Sequence, residues 1–207
     1  MLRLLILLAG LTIAHLGVTL FLLADLGADP FNVLVQGIFR TTSDLIGWKR
    51  LTHGYTHIAI CFFIILVLLV VDRSYMKIGT LLCMVCGGPI IDFFTYLLGF
   101  LSLTEKSLLV KLPTLATGCV ILAFGMTIVI KSEAGTGPND LVALVISDKS
   151  PFRFSIVRVI VDAGFVIVGF LLGGSFGIGT IVCACLVGPV AGFFLPRSEK
   201  LINNILP

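Results

Sequence analysis

Apolar positions in this chain come in long unbroken runs, with neither the alternation of strands nor the one-sided stripe of a soluble helix. Six runs approach or reach the roughly 20 helical residues that span a bilayer core of about 30 Å. They cover residues 4–24, 54–71, 78–101, 112–130, 155–176 and 177–195. Two shorter runs, residues 30–39 and 138–147, cannot cross alone. They read as half-helices, either re-entrant or completing a broken span, and are tolerated at membrane depth only when packed inside protein. The fold class expected is an all-α polytopic membrane protein with about six transmembrane helices and two half-helices. Eight crossings is the alternative.

The runs also repeat. A slide of 108 residues lays Gly10, Gly17, Gly27 and Pro30 over Gly118, Gly125, Gly135 and Pro138. A slide of 100 lays Gly79, Thr80, Cys83, Gly88 and Pro89 over Gly179, Thr180, Cys183, Gly188 and Pro189. The connection over residues 40–52 is longer than its counterpart over residues 148–154, which accounts for the eight-residue difference. The pattern predicts two membrane repeats, residues 1–104 and 105–207, forming one transmembrane domain. If the half-helices re-enter, each repeat crosses three times and the halves are inverted. If they complete spans, each crosses four times and the halves run parallel. Run length favours six crossings, whereas the distribution of Lys and Arg is more biased with eight. Six is the expectation, and either arrangement places both termini on the positive, cytoplasmic side.

Composition fixes the environment. Hydrophobic residues make up 58% and charged residues 12% of the chain, against about a quarter charged in soluble domains. Lipid must cover such a surface. The net charge of +3 is dispersed, without a basic patch, so nucleic acid is not an expected partner. The six cysteines lie within apolar runs, where they act as small hydrophobes and not as a disulfide framework. The first run follows Arg3 as a signal peptide's would. Its length and its counterpart in the second half predict instead that it stays as a membrane helix.

The local feature that points to chemistry is Gly27-Ala28-Asp29-Pro30 with its copy Gly135-Thr136-Gly137-Pro138. Proline suits the first turn of a helix, because the N–H it lacks has no partner there, and Asp29 suits the N-cap before it. Each motif reads as a glycine loop feeding a helix N-terminus, whose free N–H groups and positive dipole end favour an anion or a polar ligand group. A tight turn without a ligand is the bland reading. Asn32, Asn139 and Asp140 fall in the first turns, as caps or as ligand contacts. Arg158 and Asp162, at i and i+4, share a helix face and can pair, either structurally or to hold an anionic group. On sequence alone, Arg158→Gln should abolish binding and leave the chain folded. Asp92 is a candidate proton or cation relay, with a position at the membrane boundary as the competing reading. His53 and His57 make half a metal site, and Cys83-x-x-Cys86 lacks a third ligand, so neither metal nor cofactor is expected. His15 reads as an interior, hydrogen-bonded histidine. No nucleotide loop, nucleophile–base pair or paired carboxylates at useful spacing suggest an enzyme.

The stretch Leu26-Gly27-Ala28-Asp29-Pro30-Phe31-Asn32-Val33-Leu34, and later Gly135-Thr136-Gly137-Pro138-Asn139-Asp140-Leu141, resembles the motif Leu-Gly-x-Gly-Pro-Trp-Asp-x-Leu of the YczE/YitT-like family of small bacterial membrane proteins. Residues 158–194, with Asp162, Gly173-Gly174 and Gly188-Pro189, are similar to the second half of the same family. Asp29, Phe31 and Asn32 depart from the motif's glycine, tryptophan and aspartate, and Asn139 stands in the tryptophan position of the second copy. The resemblance implies a multi-pass protein of the bacterial inner membrane and says little about a substrate. The function expected is a secondary transporter or permease for a small polar or anionic solute, bound between the two half-helix N-termini. A homodimer is compatible with so short a chain. The alternative is a non-transporting membrane component, such as the substrate-binding subunit of an energised importer or an accessory factor.

Overall fold

A computed structural model describes residues 1–46 and 53–205, all helix and connection without a strand among them. Among the described residues the eight α-helices are α1 (Leu2–Ala24), α2 (Pro30–Ile46), α3 (His53–Val71), α4 (Ile78–Leu98), α5 (Leu108–Lys131), α6 (Pro138–Asp148), α7 (Phe154–Leu171) and α8 (Ile178–Asn203). Five of them, α1, α4, α5, α7 and α8, are long and apolar enough to cross a membrane. The apolar stretch of α3, Tyr55–Val71, is shorter. The chain is an all-α polytopic membrane protein. The middle of the longer connection, with Lys49 and Arg50, lies outside the described residues, as does the side chain of His53.

Glycines decide how the central helices meet. A Cβ on Gly17 would stand 2.3 Å from the Leu122 backbone nitrogen, and one on Gly125 would stand 2.2 Å from that of Ala14. Gly10 faces Ile128 and Val129 at the other end of the contact. Partner numbers on α5 fall as those on α1 rise, so this central pair is antiparallel. Where lipid removes the hydrophobic drive between helices, such backbone-to-backbone approach is the main source of adhesion.

The flanking helices run with their partners. Gly79 of α4 meets Leu7 and Gly87 meets His15, so α4 is parallel to α1. Thr127 and Ser198 hydroxyls bond at 2.7 Å and Phe124 packs on Phe194, so α8 is parallel to α5. These directions fix the crossing number. The chain leaves α1 at one end and starts α4 at the other, so α2 and α3 together make one traverse and not two. The same holds for α6 and α7. Three traverses in each half fit this geometry. Eight crossings would need α4 to oppose α1.

The two short helices differ from expectation in length. α6 has 11 residues, close to the predicted run. α2 has 17, because the polar tail over residues 40–46 stays helical. Its polar groups serve the end of α7: Arg40 donates to the Gly173 carbonyl and Thr41 to the Leu172 carbonyl. They satisfy acceptors that a helix end leaves open. A matching tether holds the end of α6. Lys149 pairs with Asp72 at 3.0 Å, and Tyr75 donates to Asp148. The Ser74 hydroxyl and N–H, with the Lys149 ammonium, hold the Asp72 carboxyl down at about 2.

The halves are not packed alike. Gly188 of α8 lies against α7, where a Cβ would meet the Ser155 carbonyl at 2.7 Å. Its counterpart by the 100-residue slide, Gly88 of α4, has no atom within 4 Å of that position. Gly188→Ala will therefore destabilise the purified protein by about 1–3 kcal/mol, the usual cost of overpacking. Gly88→Ala will leave it nearly unchanged. Thermal melting in detergent compares the two.

Candidate functional site

Both Gly-Pro motifs shape their loops as the sequence suggests. Gly27 and Gly135 adopt φ of +134° and +139°, a region that side-chain-bearing residues avoid. Each loop is clasped by the opposite half. The Leu26 carbonyl accepts from Gly179 N–H at 2.9 Å, and the Ala134 carbonyl accepts from Gly79 N–H at 2.9 Å. The clasps differ in one bond. Thr180 donates its hydroxyl to the Ala28 carbonyl, whereas the Thr80 and Thr136 hydroxyls of the other clasp are buried without a partner.

Beyond these loops α2 and α6 begin at the wall of one cavity of about 310 Å³. Its lining contains Asp29, Pro30 and Asn32 from the first motif, Gly137, Pro138, Asn139 and Asp140 from the second, and Arg158 from α7. Gly27 and Gly135 stand behind the tips, and Gly135 with Thr136 lines a second cavity of about 320 Å³ beside Lys77 and Glu133. Asp92 is exposed on α4 and is not part of the cavity wall. The structure does not bring it to the site.

The charged groups form a connected set. Arg158 is 8% exposed and Asp162 1%. The guanidinium donates Nε–H to Asp162 Oδ2 at 2.9 Å and Nη1–H to Asp140 Oδ1 at 2.5 Å. The i, i+4 pair seen in the sequence is present, and the bond to Asp140 carries it across to the tip of α6. Asp29 caps α2: its oxygens accept the Asn32 N–H at 3.2 Å and the Asn32 amide at 2.6 Å. Asn139 donates to Asp140 at 3.1 Å. The start of α2 is thus served by the Asp29 carboxylate, whereas no side chain caps the start of α6.

Sequence reading missed much of the wall. His15, Phe21, Phe31, Cys61, Met84 and Met126 all line the cavity. His15 was legible as an interior histidine, and its Nδ1 does hydrogen-bond the Leu11 carbonyl at 2.8 Å. Its place at a cavity was not, because that depends on α4 coming alongside at Gly87. His57 stands edge-on to Phe31 with ring centres 5.3 Å apart. Among the described residues no group of three or more His, Cys, Asp or Glu is placed to hold a metal ion.

A family model described as "Family of unknown function (DUF6198)" matches residues 1–196. The "Uncharacterized membrane protein YczE" of Bacillus subtilis is 31% identical over 94% of this chain and 86% of that protein. An "Uncharacterized protein" of Haemophilus influenzae is 28% identical over 95% of this chain and 84% of its own length. The "Uncharacterized protein YyaS" of Bacillus subtilis is 28% identical over 92% of this chain and 91% of that protein. No solved structure matches.

Proposed function

Since this chain belongs to the DUF6198 family of unknown function, we propose its function from the site: a small permease that binds a polar solute where the starts of α2 and α6 converge. The observation that carries the reading is the single cavity reached by both Gly-Pro tips, with an Arg–Asp set at its wall. Charged groups at membrane depth are costly and are found where they face a path or a partner. Two half-helices starting near one point also recur where transporters hold their cargo.

The reciprocal clasps support a duplicated origin, with the two halves inverted about the α1/α5 pair. The unequal seams support a protein that alternates between two arrangements: α7 and α8 are closed at Gly188, while Gly88 of α4 faces open space. By the positive-inside bias, the end carrying Arg3, Lys77, Lys131 and Lys149 is the cytoplasmic one, and both termini lie there. Contacts of Arg3 and Lys77 with Glu133 gather part of this charge. A second copy seated on α4 would shield the exposed Asp92 from lipid.

Purified protein in liposomes tests the reading. Uptake of a small polar solute above that of empty vesicles is the expected result. Inactive vesicles, with a membrane subunit that co-purifies, would move the protein to a non-transporting role.

A further inference from the structure

From the balance of donors and acceptors around the cavity, we infer that the solute is a small hydrogen-bond-donating cation of the ammonium or guanidinium class. This rests on the permease reading above and adds the sign of the charge. Three carboxylates, Asp29, Asp140 and Asp162, stand at or directly behind the wall, and Arg158 is the one cationic side chain that lines it among the described residues. That guanidinium is committed twice, to Asp140 and to Asp162. Asp29 has no ion-pair partner among the described residues. Its oxygens take the backbone and amide N–H groups of Asn32. An incoming anion would meet an excess of negative charge, and the Asp29 carboxylate already occupies the start of α2.

What the wall leaves open is acceptors. Asp162 Oδ1, behind the lining and not part of it, is buried without a donor. Asp140 Oδ2 receives no hydrogen bond from a described residue, since the bonds to that carboxylate fall on Oδ1. His15 adds a third. The Leu11 carbonyl can only accept, so Nδ1 carries the hydrogen, and in the neutral ring Nε2 keeps a lone pair. That atom sits at Gly87, inside the lining. Unmet acceptors in a low-dielectric site are costly until a donor arrives. An alkylammonium brings three donors and an alkylguanidinium five, together with the positive charge the carboxylates lack. The apolar remainder of such a solute would lie against Phe21, Met126 and Cys83, which share the wall.

Three planar molecules of similar size separate the possibilities: guanidinium, neutral urea and anionic nitrate. The full-length protein in liposomes should carry labelled guanidinium well above empty vesicles, and urea and nitrate at background. Asp140→Asn should cut guanidinium uptake at least about tenfold, the loss expected when a charged hydrogen bond is removed. Asp140→Glu, which keeps the charge, should retain most of it. Both variants are compared by gel filtration, so that a folding defect is told apart from loss of the carboxylate. Nitrate or urea carried in preference to guanidinium would overturn the cationic assignment and leave the permease standing. No uptake of any of the three would overturn both.

Discussion

Replacing Arg158 by glutamine will lower the melting temperature sharply as well as stop solute uptake. The guanidinium is 8% exposed and bonds two carboxylates, one from its own helix and one from the tip of α6. Removing it leaves Asp140 and Asp162 close together with no counter-charge. Breaking a buried ion pair from one side costs about 3–5 kcal/mol, because the desolvated partner stays behind. Sequence alone suggested that this variant would remain folded, since it showed only the i, i+4 partner. The second carboxylate changes that expectation. The compensated variant Arg158→Met, Asp140→Asn, Asp162→Asn removes the orphaned charges and should regain most of the lost stability. It should not regain transport, because the cavity then lacks its ionic wall. Thermal melts and uptake by the same preparations read both halves of this result. An Arg158→Gln variant that melts like the parent would contradict it.

Gly17→Leu will prevent the protein from reaching its folded state. A Cβ at that position would fall 2.3 Å from the Leu122 nitrogen and 2.5 Å from the Gly118 carbonyl oxygen. Overpacking usually costs about 1–3 kcal/mol when side chains can shift. Here the opposing atoms are helix backbone, so α1 and α5 would have to separate along their whole contact. The reciprocal change Gly125→Leu meets Ala14 nitrogen at 2.2 Å and should be as damaging. Leucine at Gly99, where a Cβ meets nothing within 4 Å, serves as the control. Fluorescence-detected gel filtration of membrane extracts should show the control as a monodisperse peak and the other two as aggregate. A normal peak from Gly17→Leu would mean that the α1/α5 packing is not what holds the bundle.

The membrane class and most helix positions were legible because long apolar runs have one stable outcome in lipid, a backbone hydrogen-bonded to itself. The two Gly-Pro helix starts were legible for a different reason: proline and positive-φ glycine punctuate a chain in few ways. α2 outran its predicted end because residues 40–46 look like a loop by polarity. They are helical because Arg40 and Thr41 have carbonyls of α7 to bond. The number of crossings was not legible, since run length and charge distribution pointed in opposite directions. Helix direction resolves it through contacts such as Gly79 with Leu7 and Gly10 with Val129, far apart in sequence. At the site, the sequence supplied Arg158–Asp162 and both tips, and left the guanidinium either to a structural pair or to a solute anion. The pair is present, and its second carboxylate, Asp140, lies on another helix. Asp92 stood out as a lone acid within an apolar run, yet nothing local could reveal that it is exposed and outside the cavity wall.

All of this depends on a wet cavity between the tips of α2 and α6. In a variant without native cysteines, Asn139→Cys places one thiol at its wall. A charged, membrane-impermeant thiol reagent should label that position from at least one side of the membrane, and saturating guanidinium should slow the labelling. If Asn139→Cys stays unreactive from both sides while the exposed Ser74→Cys reacts freely, the tips meet in a dry core and no solute passes between them.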